Sequence, residues 1–208
     1  MRGLFIVIEG VDGSGKSTQA RLLARWMRSK GIDVVLTKEP GGTPLGRTLR
    51  RILLTAAHLD SVTELLLYAA DRREHVRQVI EPALRAGRAV ISERFAASSV
   101  AYQGYGRGLD LRLVEMLNKA AAGRVRPDLT VILDMRPEEA RARMSEKRFD
   151  RLEALGIGFH RRVAKGYRAI GGKERGAVLV RASGTRGEVF ARVRQIVECQ
   201  LAGRGGGQ

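Results

Sequence analysis

The stretch Phe5-Ile-Val-Ile-Glu-Gly-Val-Asp-Gly-Ser-Gly-Lys-Ser-Thr-Gln19 decides the fold. Leu4 to Glu9 is a short apolar run rich in β-branched residues, which predicts a buried strand. Gly10 to Ser17 then matches GxxxxGK[ST] at every position. From Ser17 onward Leu22, Leu23, Trp26 and Met27 recur at helical spacing, and Gly31 ends the helix after Lys30. A strand, a glycine-rich turn and a helix start form a nest of backbone N–H groups with the positive end of a helix dipole behind it. Gly10, Val11, Asp12, Gly13, Ser14, Gly15, Lys16, Ser17 and Thr18 are therefore the expected binders of a nucleoside triphosphate. Lys16 is expected at the β- and γ-phosphates and the Ser17 hydroxyl on Mg²⁺. The motif alone leaves the reaction open, because ATPases, GTPase switches and small-molecule kinases share it.

Beyond this stretch strands and helices alternate. Further strands are predicted at Asp33–Thr37, Arg88–Ser92, Leu129–Asp134 and Ala177–Val180. Pro40, Gly41, Gly42 and Pro44 force a loop after the second strand. Helices are predicted at about Leu45–Leu54, Ser61–Ala86, Leu109–Ala122, after Pro137, after Arg151 and over Glu188–Leu201. Ser61 and Glu64 have the spacing of a capping box, and Pro82 is expected to end or bend its helix. All-apolar strands alternating with helices predict a five-stranded parallel sheet covered on both faces, an α/β three-layer sandwich. Ligands in such sheets bind beyond the carboxyl ends of the strands. One domain over residues 1–202 is expected, with a short lid at about 143–153 and a frayed tail at 203–208.

Composition narrows the class. The chain has 208 residues, 44% hydrophobic and 29% charged, an ordinary globular balance. No apolar run reaches transmembrane length, and Leu4 to Ile8 is too short for the core of a signal peptide. With a single cysteine, Cys199, a reducing cytoplasmic compartment is expected. The net charge of +16 raises nucleic-acid binding. Against it, the arginines are spread along the chain, and at 5% aromatic residues stacking platforms are scarce. A basic surface around an anionic substrate accounts for the charge, so no nucleic-acid partner is expected.

Five segments together resemble the bacterial thymidylate kinase family over about residues 4–200: the opening stretch; Thr37-Lys-Glu-Pro-Gly-Gly-Thr43; Leu65-Leu-Leu-Tyr-Ala-Ala-Asp-Arg72 with His75; Glu93-Arg-Phe95 leading to Ser98-Ser-Val-Ala-Tyr-Gln-Gly104; and Arg126-Pro-Asp-Leu-Thr130 with Leu133-Asp134 and Asp150-Arg-Leu-Glu153. The resemblance implies a P-loop nucleoside monophosphate kinase that moves the γ-phosphate of ATP onto dTMP with Mg²⁺, giving dTDP and ADP for dTTP synthesis, and a homodimer. Another deoxynucleoside monophosphate kinase is the nearest alternative, and a nucleic-acid-linked P-loop ATPase a more distant one. A GTPase is disfavoured, because no NKxD-type guanine motif follows.

The resemblance also implies residue roles. Tyr68 stacks the base and Arg72, one helical turn on, lies on the same face. Taken alone, Tyr68 reads as a core tyrosine, and Arg72 as a surface partner of Asp71 or Glu74. Arg94 and Arg72 hold the acceptor phosphate. Tyr102 crowds the 2′ position, while Gln103, Ser98 and Ser99 offer hydrogen bonds to the base edge; the serines taken alone are a polar loop. Asp12 lies by the 3′-hydroxyl and the metal, and Glu39 and Pro40 wall the acceptor site. Lys38 stands where an arginine is common. Glu93 stands where the family usually has Asp, so its part in holding Mg²⁺ rests on one extra methylene. The P-loop position that carries an arginine in one branch of the family is Gly13 here. The lid stretch Arg143–Arg151 is then the source of cations for the transferring phosphoryl group: Arg148 first, then Arg143 and Arg151. By itself that stretch reads as a solvated charged turn. Adenine is placed between Arg141 or Arg143 and Arg181–Ser183.

Overall fold

The computed structural model describes residues 3–144, 150–174 and 176–205. Its centre is one parallel sheet of five strands: β1 (Phe5–Gly10), β2 (Val34–Lys38), β3 (Ala89–Glu93), β4 (Leu129–Asp134) and β5 (Ala177–Arg181), in the order β2-β3-β1-β4-β5. Each strand lies within a residue or so of its predicted range. Phe5 pairs with Val90 and Ile6 with Leu129, so β1 is central and takes neighbours on both edges. The strand's alternation sends its side chains to opposite faces. Leu4, Ile6 and Ile8 join a core with Leu23 and Met27 of α1 (Lys16–Ser29) and Val193 and Val197 of α9 (Arg186–Gly205). Phe5 and Val7 meet Ile80, Leu84 and Phe95 on the other side. Phe5, Ile6, Val7 and Ile8 are all fully buried, each worth roughly 1.5–3 kcal/mol. This two-sided burial is why β1 shows no polar alternation.

The helices between are α2 (Pro44–Thr55), α3 (Ser61–His75), α4 (Glu81–Arg85), α5 (Ala96–Ser99), α6 (Leu111–Ala122), α7 (Pro137–Ala142) and α8 (Ile157–Gly171). The long helix expected from Ser61 to Ala86 is one rod with a wider, π-helical turn at Val76–Ile80. Pro82 sits in the first turn of α4, where the missing N–H and the ring demand that relaxation. The capping box is corrected. Asp60 caps α3, its carboxylate accepting the amides of Val62 and Thr63, while Glu64 turns inward and is buried. A helical segment the sequence reading left unassigned, α5 continuing as a π-helical turn over Val100–Gly106, packs against α8. The closing helix α9 runs to Gly205, three residues into the expected tail.

Candidate active site

The loop after β1 delivers Gly15 in the left-handed conformation (φ 95°) as the start of α1, with no side chain capping it and no acid in the first turn. The first amides of α1 therefore point outward for an anion. Gly13 also has positive φ (81°), and a Cβ there would lie 2.2 Å from the carbonyl oxygen of Ala140. Conformation and α7 together exclude an arginine at this loop position.

Around this loop lies a cleft of about 410 Å³ at the carboxyl ends of β1, β2 and β3. It gathers Asp12, Gly13, Gly15, Lys16, Ser17 and Thr18 from the loop, and Lys38, Glu39 and Pro40 from the end of β2. Tyr68 and Arg72 come from α3, Glu93 and Arg94 from the end of β3, and Ser98, Ser99, Tyr102 and Gln103 from the segment beyond it. Gly10, Val11 and Ser14 lie beneath as buried framework. Arg50, Leu54, Asp150, Leu152 and Glu153 complete the wall, without having been singled out for it.

Lys16 Nζ donates to the Val11 carbonyl at 2.9 Å and lies 3.5 Å from Asp12. Burial and the Arg94 charge pull its ammonium below the ordinary value against the opposing pull of Asp12. Ser17 Oγ donates to Glu93 Oε1 at 2.9 Å. Hydroxyl and carboxylate thus meet at the mouth of the phosphate loop, and a hard oxygen pair of this kind suits Mg²⁺.

Arg94 is the one non-glycine residue among those described with left-handed φ (72°), a conformation that costs on the order of 1–3 kcal/mol. It pairs with Asp12, donates to Ser98 Oγ, Tyr102 Oη and Tyr167 Oη at 3.2–3.3 Å, and lies over the Tyr102 ring at 5.0 Å. Burial would push the Asp12 carboxyl up, but the Arg94 and Lys16 charges hold it well below the carboxylate range. Tyr102 Oη donates to Asp12 Oδ2 at 2.7 Å.

Arg72 lies in the cleft floor beside Tyr68, as the one-turn spacing demands, but it departs from its expected role. Its guanidinium is buried: Nε donates to Glu39 at 2.9 Å, and the terminal nitrogens to Ser99, Asn118 and the Phe95 carbonyl. With every nitrogen partnered, Arg72 braces the pocket rather than reaching for a phosphate, and it pairs with neither Asp71 nor Glu74. Glu39, held also by His75 Nδ1 at 3.0 Å, carries the cis peptide to Pro40. The serines change role too. Ser98 Oγ donates to Glu9 and Ser99 Oγ accepts from Arg72, so both are bound into the protein instead of presented to a base. Gln103 is buried and donates to Glu64 at 2.8 Å.

The lid residues divide three ways. Arg148 lies outside the described residues. Arg143 Nη1 donates to the Ala182 carbonyl at 3.2 Å, bringing together the two segments expected around adenine. Arg151 is a correction: it does not line the cleft. Its Nε donates to the Leu53 carbonyl at 3.0 Å and its guanidinium pairs with Glu64 at 2.6 Å, so it ties the lid's base to α2 and α3. Burial would raise the Glu64 carboxyl; hydrogen bonds from Arg107, Gln103 and Arg151 hold it lowered.

The sequence reading missed Glu9, Tyr167, Asn118 and Glu64 as supports of the site. One signal was visible, a carboxylate ending an otherwise apolar central strand.

A family model described as thymidylate kinase matches residues 8–193. The thymidylate kinase of Synechococcus sp. (strain JA-2-3B'a(2-13)) is 48% identical over 199 residues, 95% of this chain and 96% of that one. That of Halothermothrix orenii is 43% identical over 198 residues, 93% and 95% of the two chains. The crystal structure of thymidylate kinase from Ehrlichia chaffeensis superposes with a TM-score of 0.80 at 35% identity, covering 95% of this chain and all of that one.

Proposed function

The chain belongs to the thymidylate kinase family, and we propose from the geometry of its cleft how it moves the γ-phosphate of ATP onto dTMP. Its function is that of a thymidylate kinase, a nucleoside monophosphate kinase. One observation carries the residue assignments: the uncapped start of α1 and the side chains of Tyr68, Arg94 and Tyr102 line one cleft.

The amides of Gly13 to Thr18 and the Lys16 ammonium take the β- and γ-phosphates of ATP. Arg143 and the loop at Ala182 flank the adenine. Ser17 and Glu93 would hold Mg²⁺, which would supply charge neutralisation on the phosphates. On the acceptor side Tyr68 stacks the thymine and Tyr102 closes over the deoxyribose. Asp12 accepts the 3′-hydroxyl, and Arg94 holds the acceptor phosphate in line with the γ-phosphate. That acceptor is already anionic at pH 7, so no strong general base is needed; alignment and charge neutralisation lower the barrier. Arg72 acts from the floor by fixing Glu39 and Ser99.

A homodimer is part of the same proposal. Leu45 and Ile52 of α2, Val62 and Leu66 of α3, and Leu111 and Met116 of α6 are large apolar side chains left exposed on neighbouring helices. No helix among the described residues is long and apolar enough to cross a membrane. The lone, exposed Cys199 fits a reducing cytoplasm.

The test is ADP release with ATP and Mg²⁺ against dTMP, dUMP, dCMP, dGMP, dAMP and UMP. Strong turnover on dTMP, weaker on dUMP and little on UMP is expected. Turnover that prefers another deoxynucleotide sinks the base assignment, and silence on all of them sinks the kinase reading.

A further inference from the structure

The strained turn at Arg94 has its support one strand away. We infer that Glu9 is the positioning residue for Arg94, acting both on its backbone and through two hydroxyls. The inference rests on the placement of Arg94 against the acceptor phosphate proposed above.

Glu9 is the last side chain of β1 before the phosphate loop, and it is fully buried. Its carboxylate is the hub of a small polar cluster. Oε1 accepts the amides of Phe95 at 2.8 Å and Ser98 at 3.1 Å. These amides flank the start of α5, whose Phe95 has no side-chain cap of its own, so Glu9 caps that helix from across the sheet. The amide of Arg94 itself donates to the Ile8 carbonyl at 3.0 Å. The chain before and after the left-handed residue is thereby fixed to successive residues of one strand.

The second oxygen works on the side chain. Oε2 accepts from Ser98 Oγ at 2.7 Å and from Tyr167 Oη at 2.9 Å. The two hydroxyls also lie 3.0 Å from each other; with the carboxylate accepting from both, each oxygen keeps a lone pair for Arg94. Arg94 Nη1 donates to those same two oxygens, at 3.2 Å and 3.3 Å. The acceptor oxygen of Glu9 thus sets the polarity of the hydroxyls that aim the guanidinium. Tyr167 comes from α8, the helix after the lid, so the cluster also joins that helix to the acceptor side of the cleft.

Glutamine separates this role from a structural one. Glu9→Gln keeps the carbonyl oxygen that caps Phe95 and Ser98, and it keeps the volume. Its NH₂ group, however, donates where the carboxylate accepted. The two hydroxyls lose that acceptor and must turn their protons elsewhere, one of them onto the other 3.0 Å away. They no longer offer Arg94 the same pair of free oxygens. If Glu9 only caps a helix, the variant behaves as wild type. If Glu9 aims Arg94, kcat/KM for dTMP falls by at least about tenfold, while KM for ATP stays within about twofold. Circular dichroism and thermal unfolding establish that the variant is folded. Should it not fold, Tyr167→Phe decides, since it removes one hydroxyl from the same relay. A loss of about threefold or more in kcat/KM for dTMP, again at unchanged ATP KM, is then expected. A folded Glu9→Gln enzyme with dTMP kcat/KM within about twofold of wild type overturns the inference, as does a loss shared equally by the ATP KM. Arg94→Ala, run in parallel, tells the two failures apart. If that variant also handles dTMP normally, the placement of Arg94 is wrong; if it is crippled while Glu9→Gln is normal, only the inference on Glu9 fails.

Discussion

Replacing Asp71 by Asn should make the protein more stable above pH 6 and leave it nearly unchanged at pH 4. Asp71 is fully buried on α3. Its Oδ1 accepts the Gly41 amide at 3.0 Å, and its Oδ2 has no hydrogen-bond partner. The nearby carboxylate of Glu39 is already shared between Arg72 and His75. Burial and the Glu39 charge raise the Asp71 carboxyl from 3.8 to about 6. A folded-state value above the unfolded one means that folding takes up a proton between those two pH values. Wild-type stability therefore falls as pH rises from about 4 to about 6 and then levels off. A shift of about two units corresponds to roughly 3 kcal/mol. Asparagine keeps the acceptor for Gly41 and never ionises, so it escapes that loss. Its Nδ2 lacks an acceptor, as a protonated Asp71 would, and that cost of about 1 kcal/mol does not change with pH. The stability difference, variant minus wild type, should thus grow by about 2–3 kcal/mol between pH 4 and pH 7. Urea titrations followed by the fluorescence of the single tryptophan, Trp26, measure it directly. Raised groups elsewhere, Glu9 among them, cancel in the difference. A difference that stays flat across this range would refute the claim that Asp71 is held charged at a cost.

Three further outcomes are expected. Glu64→Ala should destabilise the fold by about 3–5 kcal/mol in urea titrations, because it strands the Arg107 and Arg151 guanidiniums and Gln103 without their acceptor; a loss under about 1 kcal/mol would show that the cluster is replaced by water. Lys16→Met should lower kcat by at least about a hundredfold while dTMP still binds in calorimetry, and loss of dTMP binding would place Lys16 on the wrong substrate. Tyr102→Ala should raise the ratio of UMP to dTMP turnover, and an unchanged ratio would remove Tyr102 from sugar discrimination.

The parts of the fold legible in the sequence are those that local physics decides. Central strands buried on both faces must be apolar throughout, so β1 and β4 are visible as runs. A helix that opens on GK[ST] and stops at glycine shows both its ends. The segment Ala96–Gly106 was illegible for the opposite reason. Its serines, Val100, Gly104 and Gly106 are poor helix formers, and the segment is helical because of what it packs against. A Cβ on Gly104 would lie 2.5 Å from Leu111, one on Gly106 2.7 Å from Phe159, and one on Gly166 of α8 2.9 Å from Tyr105. Those glycines permit close approach of α6 and α8, and the approach selects the helical conformation, which sequence propensity does not.

The same distinction runs through the site. Residues of a phosphate-loop pattern declare themselves because the chemistry demands a type at a spacing, and Gly13, Gly15, Lys16 and Ser17 do line the cleft at the start of α1. Residues that hold other residues carry no such spacing. In the sequence Arg72 reads as a phosphate ligand or a surface partner of Asp71 or Glu74, and Arg151 as a lid cation, yet both are spent on buried carboxylates, Glu39 and Glu64. Each of those carboxylates lies more than 30 positions from its partner, and Glu64 sits three residues after a plausible cap, which gave it a local explanation that was wrong. A buried ion pair can be inferred only when both partners are known to be buried, and burial of a long polar side chain is a property of the assembled cleft. The cations that remain unspent after that assembly, rather than those that merely occur in a matching segment, are the ones available to a phosphate. By that criterion Arg94, held by the one carboxylate of Asp12 and by neutral hydroxyls at the cleft wall, is the better candidate for the acceptor side than Arg72, whose nitrogens are all taken by Glu39, Ser99, Asn118 and Phe95.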